Sequence, residues 1–504
     1  MNNLNTIAKG STLSFIGSSI NYLCLYIFIL IASNVLGAGI LGAYFWASSI
    51  INVLAEASRL GMVQGLLYFV PKMESEKTEN SSLPLLKLVI KFAFWITLIL
   101  SFILFIFAHK IAIYLNKSDY GNILRVMSIS MPFALFWPII YRYLSARFQI
   151  KAAVLYGDVL RSILRVFLLL FMLLLGLKFY ALPVADIILA FCLFIVGAFI
   201  INKIYGHNIF NYNKTINNIN KRELFMYSAP FIPLSLIREN RVIIIMLGFF
   251  LGMAKIGIFS VALKLAVIPS FILITINFVF RPMITKLLTE NNHSELRSIY
   301  KSITRWIFIC SLPISYLLIF YSSSVLSLFG NKFVPGAIVL SIITFGYLFD
   351  YGTSLTQQII SMSGKSWMTL MNQLISILIM APLVVIFVHN YNIVGAAIAV
   401  SIGIIIINII RLIQSYIIIG CTPYSFYLLK PISACLSTGL IMAYFFNIGI
   451  KLSFVRLLLL AALYFILYSI TIIILGLNKE DKLLLQAARD KIINKSTWLF
   501  DLRM

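Results

Sequence analysis

The chain is short of acids, of histidine and of charge altogether. Only 16 Asp and Glu stand against 40 Lys and Arg in 504 residues, and charged side chains make up 11% of the sequence. A soluble domain carries roughly 25% charged residues, so a water-facing globule is excluded. The 4 histidines are scattered and support neither a zinc site nor a catalytic triad. Cys24, Cys192, Cys310, Cys421 and Cys435 lie in or beside apolar stretches without metal spacing, and read as small packing residues. No Gly-rich stretch leads into a Gly-Lys-Ser or Gly-Lys-Thr, which excludes a nucleotide-driven motor of the P-loop kind. No residue pattern calls for a cofactor.

What the chain has is apolar sequence, 61% of it. Stretches of about 20 such residues, each long enough to cross a bilayer, recur more than a dozen times. The expected fold class is an all-α polytopic membrane protein of about 14 transmembrane helices. The expected spans are 11–33, 40–67, 86–108, 122–141, 153–176, 182–203, 226–250, 256–280, 304–324, 336–360, 369–388, 393–413, 427–448 and 455–477. The stretch Ser11–Ser33 has no convincing small-residue cleavage site and reads as the first span, not as a signal peptide. The net charge of +24 fits loops facing anionic lipid, not a nucleic-acid partner. Loops on one side, among them those with Arg142, Arg147, Lys214, Arg297 and Lys365, hold about threefold more Lys and Arg than loops on the other. That asymmetry places both termini in the cytoplasm.

The polar break Lys203–Glu223 separates six spans from the rest. Residues 1–203 are expected to form an N-terminal six-helix lobe and 204–225 a cytoplasmic linker. Residues 226–413 would form a second six-helix lobe, 414–477 two additional transmembrane helices, and 478–504 a cytoplasmic amphipathic tail with Leu483, Leu484, Leu485, Ala488 and Ile492 near helical spacing. An internal repeat supports the division. Leu36-Gly37, Gly42, Tyr44 and Ala47 recur at the same spacing as Leu251-Gly252, Gly257, Phe259 and Ala262. Phe69-Val70-Pro71 closes one stretch and Phe280-Arg281-Pro282 the other. With six spans in each, the lobes run the same way and are related by a pseudo-two-fold normal to the membrane.

Charge inside spans is costly and needs a partner or a polar cavity. Glu56 and Arg59 lie three residues apart on one face of the second span; Asp158, Arg161 and Arg165 form a stripe on the fifth. Arg238 and Arg241 share a face of the seventh, Lys264 lies in the eighth, and Asp350 in the tenth has no base near it in sequence. Two readings stand for Glu56–Arg59 and Asp158–Arg161: structural ion pairs that clamp helices, or groups along a substrate path. For Arg165, Arg238, Arg241 and Lys264, bases outnumber adjacent acids and an anion-facing role is favoured. Over the whole interior the signs nearly balance, with Asp186 and Glu239 among the acids.

Pro230 to Lys286, with its Leu-Gly, its Gly-Ile-Phe-Ser-Val-Ala and its Phe-Arg-Pro, resembles the hallmark region of bacterial polysaccharide flippases of the O-antigen type. These belong to the superfamily of multidrug, oligosaccharidyl-lipid and polysaccharide exporters. The first-lobe copy and Val394-Gly395-Ala396-Ala397-Ile398-Ala399 fit as well. The resemblance implies two six-helix lobes around a cavity lined mainly by spans 1, 2, 7 and 8. It implies a bacterial inner membrane location. The implied function is transfer of an undecaprenyl-diphosphate-linked oligosaccharide from the cytoplasmic to the outer leaflet for surface polysaccharide, with membrane lipid and a polysaccharide polymerase as partners. Arg59, Arg238, Arg241 and Lys264 would hold the diphosphate, since arginine forks suit phosphate oxygens. The diphosphate moves with the field of a negative-inside cell, about 2.3 kcal/mol per charge per 100 mV; otherwise Glu56 or Asp350 would carry a coupling cation. A lipid II flippase and a cation-coupled drug exporter are alternatives, though the first span lacks the acid such an exporter would use. A membrane-embedded sugar polymerase or ligase would need a long outer loop with catalytic residues, and no outer loop here clusters His with carboxylates.

Overall fold

Backbone N–H and C=O groups find no partner in hydrocarbon, so a chain this apolar satisfies them inside helices. The computed structural model describes residues 2–75, 82–205, 221–229, 231–236, 239–273, 280, 283–284, 287–288, 290, 292–353, 355–445 and 453–476. Among the described residues every regular element is helical. The first nine α-helices are α1 (Asn2–Ser58), α2 (Met62–Ser75), α3 (Leu83–Tyr114), α4 (Gly121–Ser128), α5 (Met131–Ala134), α6 (Phe136–Ala146), α7 (Ile150–Val154), α8 (Arg161–Leu174) and α9 (Ala181–Tyr205). Then come α10 (Lys221–Ser228), α11 (Phe231–Leu236), α12 (Glu239–Phe250) and α13 (Met253–Ala266). Long helices follow over His293–Phe320, Ala337–Thr353, Ser366–Ile419, Leu429–Phe445 and Phe454–Ile474.

Eight of the described helices are long and apolar enough to cross a membrane, or nine if the bent pair Ser118–Ser128 and Met131–Ala146 counts as one span. The two longest, Leu13–Ser58 and Trp367–Ile419, each cover two of the expected spans. Inside them Gly37 (φ 77°) and Asn392 (φ 52°) interrupt the helical geometry at the expected reversals.

Besides that bent pair, two further expected spans are broken among the described residues. The span 40–67 ends its first arm at Ser58; Leu60 and Gly61 then take φ of 47° and 67° before α2 begins. The span 226–250 is divided among α10, α11 and α12, in a stretch whose Pro230 and Pro233 have no N–H to give a helix. The two breaks lie against each other, because a Cβ on Gly61 would sit 2.3 Å from the Ser228 carbonyl oxygen. Between α7 and α8 the fifth span passes through a π turn, Leu155–Leu160.

The chain divides into two compact units. The first gathers Met1–Leu265, Leu326–Ile343 and Leu370–Gly403. Within it the repeated glycines Gly42 and Gly257 bring α1 and α13 together, and Gly248 leaves room for the Trp46 indole. The second gathers Ala266–Val325, Thr344–Thr369 and Ile404–Met504. Its core packs Leu296, Tyr300, Ile307, Tyr351 and Ile359. There the long helix ends at left-handed Gly420, and Arg297 Nε donates to the Ile419 carbonyl, 2.9 Å. The last two helices dock through Tyr316, whose ring stacks on Tyr464 at 4.6 Å and whose hydroxyl donates to the Gly439 carbonyl, 2.8 Å. Most of the expected linker 204–225 and the tail 478–504 lie outside the described residues.

Candidate functional site

Non-helical backbone at membrane depth is tolerated where it is buried in protein or lines a polar cavity, and discontinuous helices mark transporter sites. The broken stretch at Arg59–Gly61 follows this rule. In the first unit Glu56, Arg59, Gly61, Phe231 and Arg241 line one wall of a cavity of about 570 Å³. Glu56 joins two guanidinium groups: Arg59 Nη1 at 3.0 Å and Arg241 Nη1 at 3.7 Å. Arg59 is only 7% exposed, because the helix ends beneath it and its neighbour Gly61 packs against Ser228.

More of the lining comes from α6, the π turn and the start of α8. Trp137, Tyr141, Arg142, Asp158 and Arg161 line the same cavity. The Tyr141 hydroxyl donates to Asp158 Oδ2 at 3.4 Å, and the Arg161 guanidinium lies 3.9 Å from the centre of the Trp137 ring. Of the two readings left open for Asp158 and Arg161, the clamp has no direct ion pair within 4.0 Å behind it. The i, i+3 argument assumed an α-helix, whereas the π turn adds about one residue per turn and rotates Asp158 off the Arg161 face. Among the described residues, four guanidinium groups (Arg59, Arg142, Arg161, Arg241) and two carboxylates (Glu56, Asp158) line the cavity.

The other expected charges are placed elsewhere. Arg165 faces Asp186 from the next span, Nε to Oδ1 3.9 Å. Its Nη2 donates to the Tyr44 hydroxyl, which donates to Asp186 Oδ2 at 2.8 Å, and its guanidinium lies over the Phe28 ring. This cluster adjoins two smaller cavities, about 170 and 90 Å³, which Arg161 also lines. Lys264 Nζ sits 4.9 Å from the Phe45 ring centre and is not on the wall of the large cavity. Asp350 lies in the second unit with Arg411 Nη1 at 4.0 Å. Arg238 lies outside the described residues.

Sequence reasoning missed several cavity residues. Trp137 and Tyr141 were hidden in an apolar span, and Arg142 was counted as a loop cation. Arg411, absent from the list of interior charges, supplies the base that Asp350 lacked in sequence. The i, i+4 spacing of Trp137 and Tyr141 next to an arginine, with Gly157 before Asp158, was the available signal. A Cβ on Gly157 would meet the Tyr141 ring at 2.2 Å, so the bare glycine is what lets that ring lie against the π turn.

A helical multi-pass protein with a charged cavity at broken spans has the build of a membrane transporter. Residues 41–338 match the polysaccharide biosynthesis protein family, and the chain belongs to that family, whose members are flippases of the membrane. Among solved structures it is similar to the lipid II flippase MurJ in an inward closed conformation: TM-score 0.72, 19% identity, over 92% of this chain and 98% of that one. An inward-facing multidrug resistance transporter of the MATE family, within the MOP superfamily, aligns at TM-score 0.65 and 15% identity, over 81% of this chain and 98% of that one. A MOP superfamily transporter from Pyrococcus furiosus, described as having a binding pocket of reversed polarity, gives TM-score 0.57 and 17% identity, over 82% and 95%. At these identities the likeness speaks for the fold. None of the curated proteins matches the chain.

Proposed function

We propose that this protein is a flippase that moves an undecaprenyl-diphosphate-linked oligosaccharide from the cytoplasmic to the outer leaflet of a bacterial inner membrane, with both termini in the cytoplasm. The observation that carries this is the excess of guanidinium over carboxylate in the large cavity. A diphosphate diester brings two negative charges, and arginine forks meet its oxygens with charge-assisted hydrogen bonds. A cavity of this sign disfavours the cationic cargo of a drug exporter. A few-sugar headgroup would ride in the cavity while the prenyl chain stays in lipid. Glu56 and Asp350, the acids expected to carry a coupling cation, each have an arginine within 4.0 Å. That supports movement of the anion with the membrane field as the driving step.

The likeness to MurJ favours one second reading, lipid II itself, which shares the prenyl diphosphate and differs in its headgroup. The test is reconstitution into vesicles with a fluorescent prenyl-diphosphate oligosaccharide, lipid II or a cationic dye. Protein-dependent protection of the oligosaccharide lipid from an external quencher is the expected result. Transport of the dye alone would overturn the proposal, and transport of lipid II alone would replace it with the second reading.

A further inference from the structure

Lys117, which plays no part in the cavity, is a buried cation held by backbone. Helix α3 ends in a Schellman turn: Asn116 takes a left-handed φ of 57°, its N–H bonds the Ile113 carbonyl at 2.8 Å, and the Lys117 N–H bonds the Ala112 carbonyl at 2.7 Å. The turn pins the Lys117 backbone, and the residue is only 9% exposed. Among the described residues its Nζ donates only to carbonyl oxygens, those of Leu115 at 3.3 Å and of Gly248. Gly248 lies in the last turn of α12. Carbonyls there have no intrahelical N–H to accept from, and the helix end favours a cation.

The same end of α12 is held from a second direction. A Cβ on Gly248 would lie 2.1 Å from Trp46 Nε1, and Trp46 is fully buried. Arg241, on the wall of the large cavity, lies in the first turn of α12, about 10 Å back along the axis. Glu56 holds that inner end, with Arg241 Nη1 at 3.7 Å. In the expected topology α12 runs from the cytoplasmic to the outer side. Glu56 then grips its inner end, and Trp46 and Lys117 its outer end, all within the first unit. A headgroup leaves the cavity toward the outer leaflet only when the outer contacts part. The Trp46 contact is packing, weak per atom pair and without direction. An ammonium on a carbonyl away from water is directional and stronger.

We propose that Lys117 is the latch of the outer side: its ammonium on the Gly248 carbonyl holds α12 against the first spans and keeps the cavity shut from outside. The inference rests on the proposed flippase function for its sidedness. It goes beyond that function in assigning a positioning residue that does not line the large cavity.

The test reads which side of the membrane reaches the cavity. Asn52 lines the cavity and is exposed, so an Asn52→Cys thiol reports access. Its reaction with a membrane-impermeant sulfonated maleimide is followed by peptide mass spectrometry. The full chain is labelled from outside in spheroplasts and from the cytoplasmic face in inside-out vesicles. Lys117→Met keeps the bulk and loses the charge. It is expected to raise the outside rate about tenfold, the weight of one hydrogen bond to a charged group, while the inside rate does not rise. Lys117→Arg keeps a cationic donor and is expected to stay near the parent on both sides. Unchanged rates with Lys117→Met overturn the latch. A rise on both sides together also overturns it, since that marks a loosened fold and a merely structural cap. A parent that labels faster from outside than from within refutes the latch along with the expected sidedness. No lipid cargo enters the measurement, so a failed latch leaves the flippase proposal standing; that proposal falls on transport of the cationic dye alone.

Discussion

Gly42 and Gly257 meet backbone to backbone. A Cβ on Gly42 would lie 1.8 Å from the Met253 carbonyl oxygen, and one on Gly257 would lie 2.1 Å from that of Ala38. In the internal repeat Ala38 corresponds to Met253 and Gly42 to Gly257, so each contact is the image of the other, as a local two-fold through the pair requires. Substitution by alanine at either position should therefore destabilise the protein similarly, by about 1–3 kcal/mol for an overpacked contact. Gly252→Ala, where nothing lies within 4 Å of the added atom, should be tolerated. Thermal unfolding in detergent distinguishes these outcomes, and a cost at only one of Gly42 and Gly257 would break the symmetry argument.

Arg165 and Asp186 should behave as a structural pair. The pair is half-buried, so removing one partner should cost less than the roughly 3–5 kcal/mol of a fully buried pair. Asp186→Asn alone should lower membrane abundance and unfolding temperature, and adding Arg165→Gln should recover part of the loss. Exchange of Asp158 and Arg161 should show no such rescue, because no ion pair joins them.

Arg59 and Arg241 should matter for transport more than for folding. Both line the large cavity and share Glu56. Glutamine at either position should remove most export at near-normal abundance, whereas lysine, which keeps charge and loses the fork, should keep part of it. Surface polysaccharide in a strain lacking the gene is the readout. Full export from an Arg59→Gln, Arg241→Gln double variant would move the phosphate site elsewhere.

Topology follows from loop charge. Reporter fusions at Lys214 and after Lys479 should read as cytoplasmic, and fusions near Asn331 and Asn390 as external. An external signal at Lys214 would overturn the expectation of two parallel six-span lobes.

Much of the site was legible one helix at a time. Glu56 and Arg59 are paired as their spacing implies, and Arg241 is in the cavity. What sequence could not show was partnership across helices. The near balance of signs over the whole interior concealed a local excess, because Asp186 and Asp350 lie outside the large cavity while Arg142, read as a loop cation, lies on its wall. Lys264 was placed on a lining span, yet α13 turns it toward Phe45.

The sequence by itself determined that this is a helical membrane protein, because the lack of charge and the length of the apolar runs leave the backbone no other way to satisfy its polar groups. It also determined the repeat, whose glycines meet different demands in the structure: Gly37 takes a left-handed φ, and an added Cβ on Gly42 or Gly257 would fall 1.8 or 2.1 Å from a backbone carbonyl oxygen. The tertiary structure alone decided where spans break, where a π turn replaces an α turn, and which charges share a cavity. Those outcomes depend on competition between a helix's own hydrogen bonds and the side chains packed against it from distant parts of the chain. The ring of Tyr141 against Gly157 and the close approach of Gly61 to Ser228 are two such contacts, and no local pattern in the sequence encodes either.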